Sequence, residues 1–390
     1  MRKQAEYPML PIPSHDEEAR TIFTYNLANY IRSDITPKNE RVYKHQVLPS
    51  FRKIHSRHPK TRHEVRDAMS KTHQYSMSSA LQRFSQEMMW DSVTDTVERQ
   101  LPGMISKFEH LKNGPVKGSL KLDPTKVIPP YLAKNHHHCM AGGYHTESAK
   151  NDLSMGAIYD RGSFIYVDGN FGPRNDGLGV ALAKFIKVHF GERKFNKILD
   201  MGCTVGGSTV ALKEHFKGSE VWGIDIGAPC LRYAHGRAEY YDAAVHFAQE
   251  NAESTSFEDE CFDLVASAAL LHETSHKATL NILKECHRIL KPGGVMIHQE
   301  IQPYRHEDAW LDFTRDWDTL NNNEPFWGTV LDMDLTSYAK ANGWSQDEVY
   351  SKISFGPAEA HAIKPEVEAK KVMGASRGAR GMSYLCGIKR

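Results

Sequence analysis

Residues 197–209 read KILDMGCTVGGST. The apolar pair Ile198–Leu199 runs into Asp200 and at once into a loop carrying Gly202, Gly206 and Gly207, after which Ser208–Phe216 takes up helical spacing. A buried strand, a tight turn and a helix start follow from that pattern. Glycine suits the turn because its missing Cβ permits positive φ and lets a ligand lie against the backbone. Unpaired N–H groups at the helix start face the same space. The spacing Gly202-Cys203-Thr204-Val205-Gly206-Gly207 is not the G-x-G-x-x-G of a dinucleotide site.

A second apolar run, Val221–Ile224, ends in Asp225, a carboxylate about 20 residues on that is placed to accept from both hydroxyls of a ribose. Then come Phe262-Asp263-Leu264-Val265, Leu270-Leu271-His272-Glu273 and Leu290-Lys291-Pro292-Gly293-Gly294. From Gly177 onward the chain alternates between helix (177–190, 207–216, 229–240, 275–290) and strand (196–200, 220–225, 244–248, 262–267, 294–300). Such alternation predicts a parallel sheet covered by helices on both faces, with ligands at the carboxyl ends of the strands.

As an ordered set these motifs resemble the class I S-adenosylmethionine-dependent methyltransferases, in particular the small-molecule branch with D-x-G-C-x-x-G, L-H and L-K-P-G-G in that order. The resemblance covers roughly the second half of the chain. Thr204 departs from it, standing where many relatives carry another glycine. The implied fold is α/β: a Rossmann-like, doubly wound, seven-stranded, mostly parallel sheet with an antiparallel last strand, the runs Tyr350–Phe355 and Met382–Lys389 forming its closing pair. The implied cofactor is S-adenosyl-L-methionine, held by Asp200, Gly202, Cys203, Gly206, Asp225, Ile226, Asn251, Ala252 and Ser267. Asp200 and the backbone at Gly202 would face the methionine end and Asp225 the ribose. Ile226 would pack on the adenine, and the Asn251 amide oxygen would accept from its amino group. His272, following the strand at 262–267, would project toward the transferred methyl. With an ordinary pKa of about 6.5 it can take a proton near neutral pH, and Glu300 would orient it or touch the acceptor.

Upstream, apolar residues recur at helical spacing over 15–33, 37–57, 76–90 and 93–108, so residues 1–110 read as a helical extension that serves as a substrate lid or a dimer interface. Residues 111–175 read as a loop-rich connector beside the pocket, with residues 176–390 as the cofactor domain and 302–343 an aromatic insertion within it. The connector holds His136-His137-His138-Cys139 and Gly142-Gly143-Tyr144-His145, for which a metal site, an acceptor-pocket wall and ordinary loop packing all stay open. Because adjacent histidines cannot all turn to one ion, no metal is assigned. Acceptor contacts are expected from Tyr144, His145, Tyr159, Arg161, Tyr166 and Trp317. A surface salt bridge for Arg161 and a lid core for Trp317 are the competing readings.

A formal net charge of +1 over 390 residues gives no whole-chain reason to expect nucleic acid or an anionic membrane as partner. The short basic run 52–63 lacks interleaved aromatics and reads as a solvated helix end. Six cysteines without a C-x-x-C pair fit reduced thiols, and no apolar run approaches the ~20 residues of a membrane span, so a cytoplasmic protein is expected. The expected activity is methyl transfer to an O, N or S nucleophile of a small metabolite. The alternative is a cofactor-binding module whose N-terminal helices engage or methylate a protein partner, and a homodimer stays open in either case.

Overall fold

The computed structural model describes residues 2–191, 193–304, 306–345, 347–354 and 381–390. Its centre is β2 (Lys197–Met201), whose Ile198, Leu199, Asp200 and Met201 are all fully buried, as a strand covered on both faces requires. Parallel neighbours flank it: β3 (Glu220–Asp225) and β4 (Val245–Gln249) on one side, β5 (Phe262–Ala268) and β6 (Leu290–Glu300) on the other. The chain lays down β2, β3 and β4 outward and then returns to place β5 against β2. The order therefore reverses between β2 and β5, and a crevice opens at their carboxyl ends. β7 (Val349–Ser354) and β8 (Met382–Ile388) complete that side, with β8 antiparallel to both β6 and β7. Phe355, expected in the closing pair, lies outside the described residues.

Among the described residues the sheet has eight strands, not seven. β1 (Ser119–Lys121), from the segment expected to be loop, pairs in parallel with β4 at the edge. Gly118 permits this, since a Cβ there would lie 1.9 Å from the Val245 carbonyl oxygen. β6 also starts at Leu290, four residues before the expected strand, so the Lys-Pro-Gly-Gly turn is part of it.

The two helices expected over 76–90 and 93–108 are one 40-residue helix, His73–Lys112, capped by the Thr72 side chain and running through Pro102. Met89, Trp90, Val93, Val97, Leu101, Met104 and Phe108 carry one buried face across the expected break and past the proline. The connector holds a 13-residue helix, Ser154–Tyr166, that periodicity alone did not reveal. Its contact positions include Gly156 and Gly162, small residues that admit large ones from neighbours: a Cβ on Gly156 would lie 2.5 Å from Tyr233 Cβ, and one on Gly162 would lie 2.0 Å from the Trp90 ring. Its own Met155, Ala157, Ile158, Phe164 and Ile165 are buried as well, so large side chains from partners and from the helix interlock.

One core cluster consequently mixes Trp90, Val93 and Phe108 of the long helix, Ile158 and Ile165 of the connector, and Tyr233 of the helix after β3 (Ala228–Tyr240). Basic residues of the run 52–63 are paired internally, Arg57 with Glu64 and Arg62 with Asp316 and Asp332. Among the described residues, no helix is long and apolar enough to cross a membrane. The seat of Trp90 on Gly162 gives a direct test. Gly162→Ala should destabilise the protein by roughly 1–3 kcal/mol through overpacking, read as a lower urea midpoint at unchanged slope; an unchanged midpoint means the two helices are not in this contact.

Candidate functional site

The crevice begins at the turn after β2. Gly202 (φ 67°) and Gly206 (φ 72°) both need the left-handed region, and a Cβ on Gly202 would lie 2.6 Å from Leu270 Cδ1, so the turns after β2 and β5 touch at this point. Asp200 Oδ2 accepts from the Ser208 and Thr209 hydroxyls at 2.6 and 2.7 Å, tying the strand end to the helix start. Burial pushes the Asp200 carboxyl up to about 6, against those two hydrogen bonds. Its Oδ1 is buried with no hydrogen-bond partner among the described residues, which suits a ligand donor. Asp225 accepts from the N–H of Thr204 (3.0 Å) on Oδ2 and of Gly227 (2.8 Å) on Oδ1. Each oxygen keeps a lone pair for a hydroxyl. Thr204, the position that departs from the resemblance, sits at φ 46° with its N–H bonded to Asp225. Cys203 is buried, its N–H bonded to the Ile224 carbonyl.

Other expected cofactor positions are placed less simply. Asn251 Oδ1 already accepts from the Glu253 N–H at 2.9 Å, closing a local turn. Ala252 packs against the core beneath, and Ile226, half-buried just past the end of β3, accepts from Gln249 on its carbonyl. Ser267 does not face the crevice: its hydroxyl is fully buried and paired with His298 Nδ1 at 2.7 Å between β5 and β6. A strand side chain that satisfies its neighbour on the packed face has no reach to a ligand beyond the strand end.

Beyond Leu270 the chain makes a single 3₁₀ turn, Leu271–Glu273. Glu300, at the end of β6, holds it with both oxygens: Oε1 accepts from the Leu271 N–H at 2.6 Å, and Oε2 lies 2.6 Å from His272 Nδ1. His272 is buried, with its ring against the edge of Trp327. Burial pulls its pKa down, but Glu300, with Glu273 and Glu324 beyond, outweighs this and raises it to about 9. The ordinary value near 6.5 does not carry over to this ring, because the Glu300 carboxylate beside it favours its protonated form.

Glu273 gathers a second set of groups. Its Oε1 lies 2.9 Å from His138 Nε2, 3.5 Å from the Tyr144 hydroxyl and 3.8 Å from His272 Nε2. Glu324, from the insertion, takes the other nitrogen of His138 at 2.9 Å. Burial opposes ionisation of His138, yet the two carboxylates raise its pKa well above the usual value. Of these residues only Tyr144 was expected as an acceptor contact. His138 was flagged by the histidine run, Glu273 stood unassigned in its motif, and Glu324 had no sequence signal.

The remaining acceptor candidates separate into two groups. Tyr144 and Tyr159 meet edge to face at 5.5 Å, and His145 is half-buried beside them in the chain with Nδ1 unpartnered among the described residues. Tyr144 spans the crevice: a Cβ on Gly227, next to Asp225, would lie 2.4 Å from the Tyr144 carbonyl oxygen, while the Tyr144 hydroxyl reaches Glu273. Tyr166 packs at the edge of the mixed helical core. Arg161 is turned away, donating to Gln4 of the N-terminal arm at 3.1 Å, and so meets no crevice carboxylate in this arrangement. Trp317 is buried with Val65, Met69, Tyr75 and Phe313, its indole N–H bonded to Ser79. It cements the insertion to the N-terminal helices, which is the lid-core reading and not the pocket one.

The His272–Glu300 pair makes a pH prediction. A histidine whose folded pKa lies above its unfolded value stabilises the fold fully below the unfolded pKa of about 6.5, and that contribution disappears as pH rises through the folded value. The stability advantage of wild type over Glu300→Gln should therefore be greatest below pH ~6.5 and shrink steadily toward pH ~9. Urea melts across that range check it; a difference that does not change with pH refutes the pairing.

The family described as a methyltransferase domain matches residues 198–294. A demethylmenaquinone methyltransferase of Thermus thermophilus is 32% identical over 112 residues, 29% of this chain and 50% of that protein. A ubiquinone/menaquinone biosynthesis C-methyltransferase (UbiE) of a Shewanella species is 30% identical over 175 residues, 42% of this chain and 66% of that protein. Across the first of these curated relatives the chain spans about half their length, 42%, 44% and 50%. A solved phosphoethanolamine N-methyltransferase 2 of Haemonchus contortus is 16% identical over 59% of this chain and 57% of its own, at a TM-score of 0.40, too distant to add weight. The sheet order, the turn after β2 and the matched motifs agree that residues 198–294 carry a methyltransferase domain, one whose crevice suits S-adenosylmethionine.

Proposed function

We propose that the protein moves a methyl group from S-adenosylmethionine to an O, N or S nucleophile of a small polar acceptor, seated between the turn after β2 and the Glu273 side of the crevice. The observation that carries this reading is the bridge made by Tyr144, whose backbone lies against Gly227 beside Asp225 and whose hydroxyl reaches Glu273. One residue, through its backbone and its side chain, thus joins the Asp225 end to an acidic, aromatic chamber. The site suits the cofactor: Gly202 is a cradle a Cβ would fill, and Asp200 Oδ1 is an orphaned buried acceptor. Asp200 and Gly202 would take its methionine end, Asp225 its ribose, and Ile226 and Asn251 its adenine.

When bound, the cofactor supplies an activated methyl on a good leaving group, so the residues of this chain mainly align the acceptor and exclude water. Glu273 accepts from an O–H or N–H of the acceptor, while His272, held as a cation by Glu300, keeps Glu273 ionised and in place. The long helix contributes from behind. Gln86 and Trp90 each donate to the His138 carbonyl at 2.7 Å, so the N-terminal region helps build the acceptor wall.

Asp225→Ala should weaken binding of S-adenosylhomocysteine by about tenfold or more, because charge-assisted hydrogen bonds in a partly dry site are lost. Titration calorimetry on the folded variant checks it, with NAD as a control expected to give no heat. Unaltered affinity removes Asp225 from the site. Labelled methyl from S-adenosylmethionine should then appear in the small-molecule fraction of a cell extract; label found only on protein contradicts the acceptor class.

A further inference from the structure

Two buried carboxylates meet at one imidazole in the chamber beside the cofactor crevice. Glu273 and Glu324 face His138 from opposite ring nitrogens, and one ligand-type atom from each of the three residues lies within 4.8 Å of the others. Glu324 is 2% exposed, and its Oε2 has no hydrogen-bond partner among the described residues; neither has Glu273 Oε2. His137 is fully buried, with both ring nitrogens equally unpartnered and Nε2 3.7 Å from Glu273 Oε2. Buried polar atoms are almost always satisfied in a native fold, so an unpartnered oxygen on each of two buried carboxylates that flank one imidazole suits a ligand that supplies positive charge. A carboxylate–imidazole–carboxylate set with a second imidazole beside it is the donor chemistry of a divalent transition-metal ion.

We propose that His138, Glu273 and Glu324 bind one divalent cation of the manganese or zinc type. The surroundings are built to hold these ligands. The His138 carbonyl is fixed by Gln86 and Trp90, and Asn322 donates to Glu324 while itself accepting from Gln86. Such outer contacts are what orient metal ligands in known sites. Glu273 also carries the Tyr144 hydroxyl and faces His272, so the ion would lie at the acceptor end of the crevice. There it would draw an oxygen of the acceptor into line and favour loss of that oxygen's proton. This last role rests on the methyl-transfer reading, whereas metal binding itself does not.

The experiment uses the full-length protein freed of metal with a chelator. Mn2+ is titrated in while the free-ion signal is followed by electron paramagnetic resonance, and Zn2+ is used to compete. Expected is one Mn2+ per chain, displaced by Zn2+, with affinity reduced about tenfold or more in Glu324→Gln and in Glu273→Gln. Binding of S-adenosylhomocysteine and thermal melting in metal-free buffer establish that each variant is folded. Absence of Mn2+ and Zn2+ binding in wild type that binds S-adenosylhomocysteine overturns the metal site and leaves the methyltransferase reading standing. Wild-type affinity in both variants also overturns it, by placing the ion elsewhere. Should a variant not fold, wild type alone decides: a melting temperature that Mn2+ fails to raise counts against the site.

Discussion

Both oxygens of Glu300 are spent on the turn that follows the neighbouring strand, one on a backbone N–H and one on the His272 ring. A carboxylate 2% exposed is tolerable only if something positive stands beside it, and here that is the imidazolium it creates. The arrangement then propagates. A fixed, charged His272 places Glu273 at the mouth of the crevice, Glu273 draws in His138, and His138 is held from its far side by Glu324 of the insertion. Sheet, connector and insertion are joined through a line of alternating charges.

Such a line is a poor way to gain stability. Removing several ions from water costs about as much as their mutual attraction returns, and a well-packed apolar core does better. The nearby insertion uses both means: Trp317, Phe313 and Tyr75 join it to the N-terminal helices through ring contacts and a hydrogen bond to Ser79, and Arg62 and Arg66 pair with the buried Asp316. Buried charge is therefore not confined to the crevice, but the crevice line differs in linking Glu300, His272, Glu273, His138 and Glu324 in series. Perturbed groups gathered in a crevice are expected of a working site.

How much of this was readable from the chain depends on which atoms carry each feature. The turn after β2 was legible because its glycines serve backbone geometry, which local sequence encodes. The position of Asp225 at the end of β3 was legible because an apolar run that stops at a carboxylate marks a strand end. Ser267 misled because a polar residue at a strand end looks the same whether it faces the crevice or, as here, pairs with His298 on the packed side. The helix Ser154–Tyr166 escaped notice because its contact face includes Gly156 and Gly162, which carry no apolar signal and are covered by Tyr233 and Trp90 from far away in the chain. Glu324 could not be singled out at all: only the fold brings it to His138, 186 positions upstream.

The least legible part is also the most strained. His138 and Cys139 follow one another at φ 57° and 60°, left-handed values that cost a non-glycine residue of order 1–2 kcal/mol each. Such a pair persists only where its surroundings leave no alternative. Here the long helix supplies the constraint, with Gln86 and Trp90 converging on the one carbonyl between them, and Trp90 is itself locked over Gly162. The helix that looks from its sequence like an appendage to the cofactor domain thus fixes the backbone that turns His138 toward Glu273. Its contribution to function runs through main-chain geometry, which explains how a segment without a recognisable motif can shape the chemistry of a crevice whose motifs all lie in the other half of the chain.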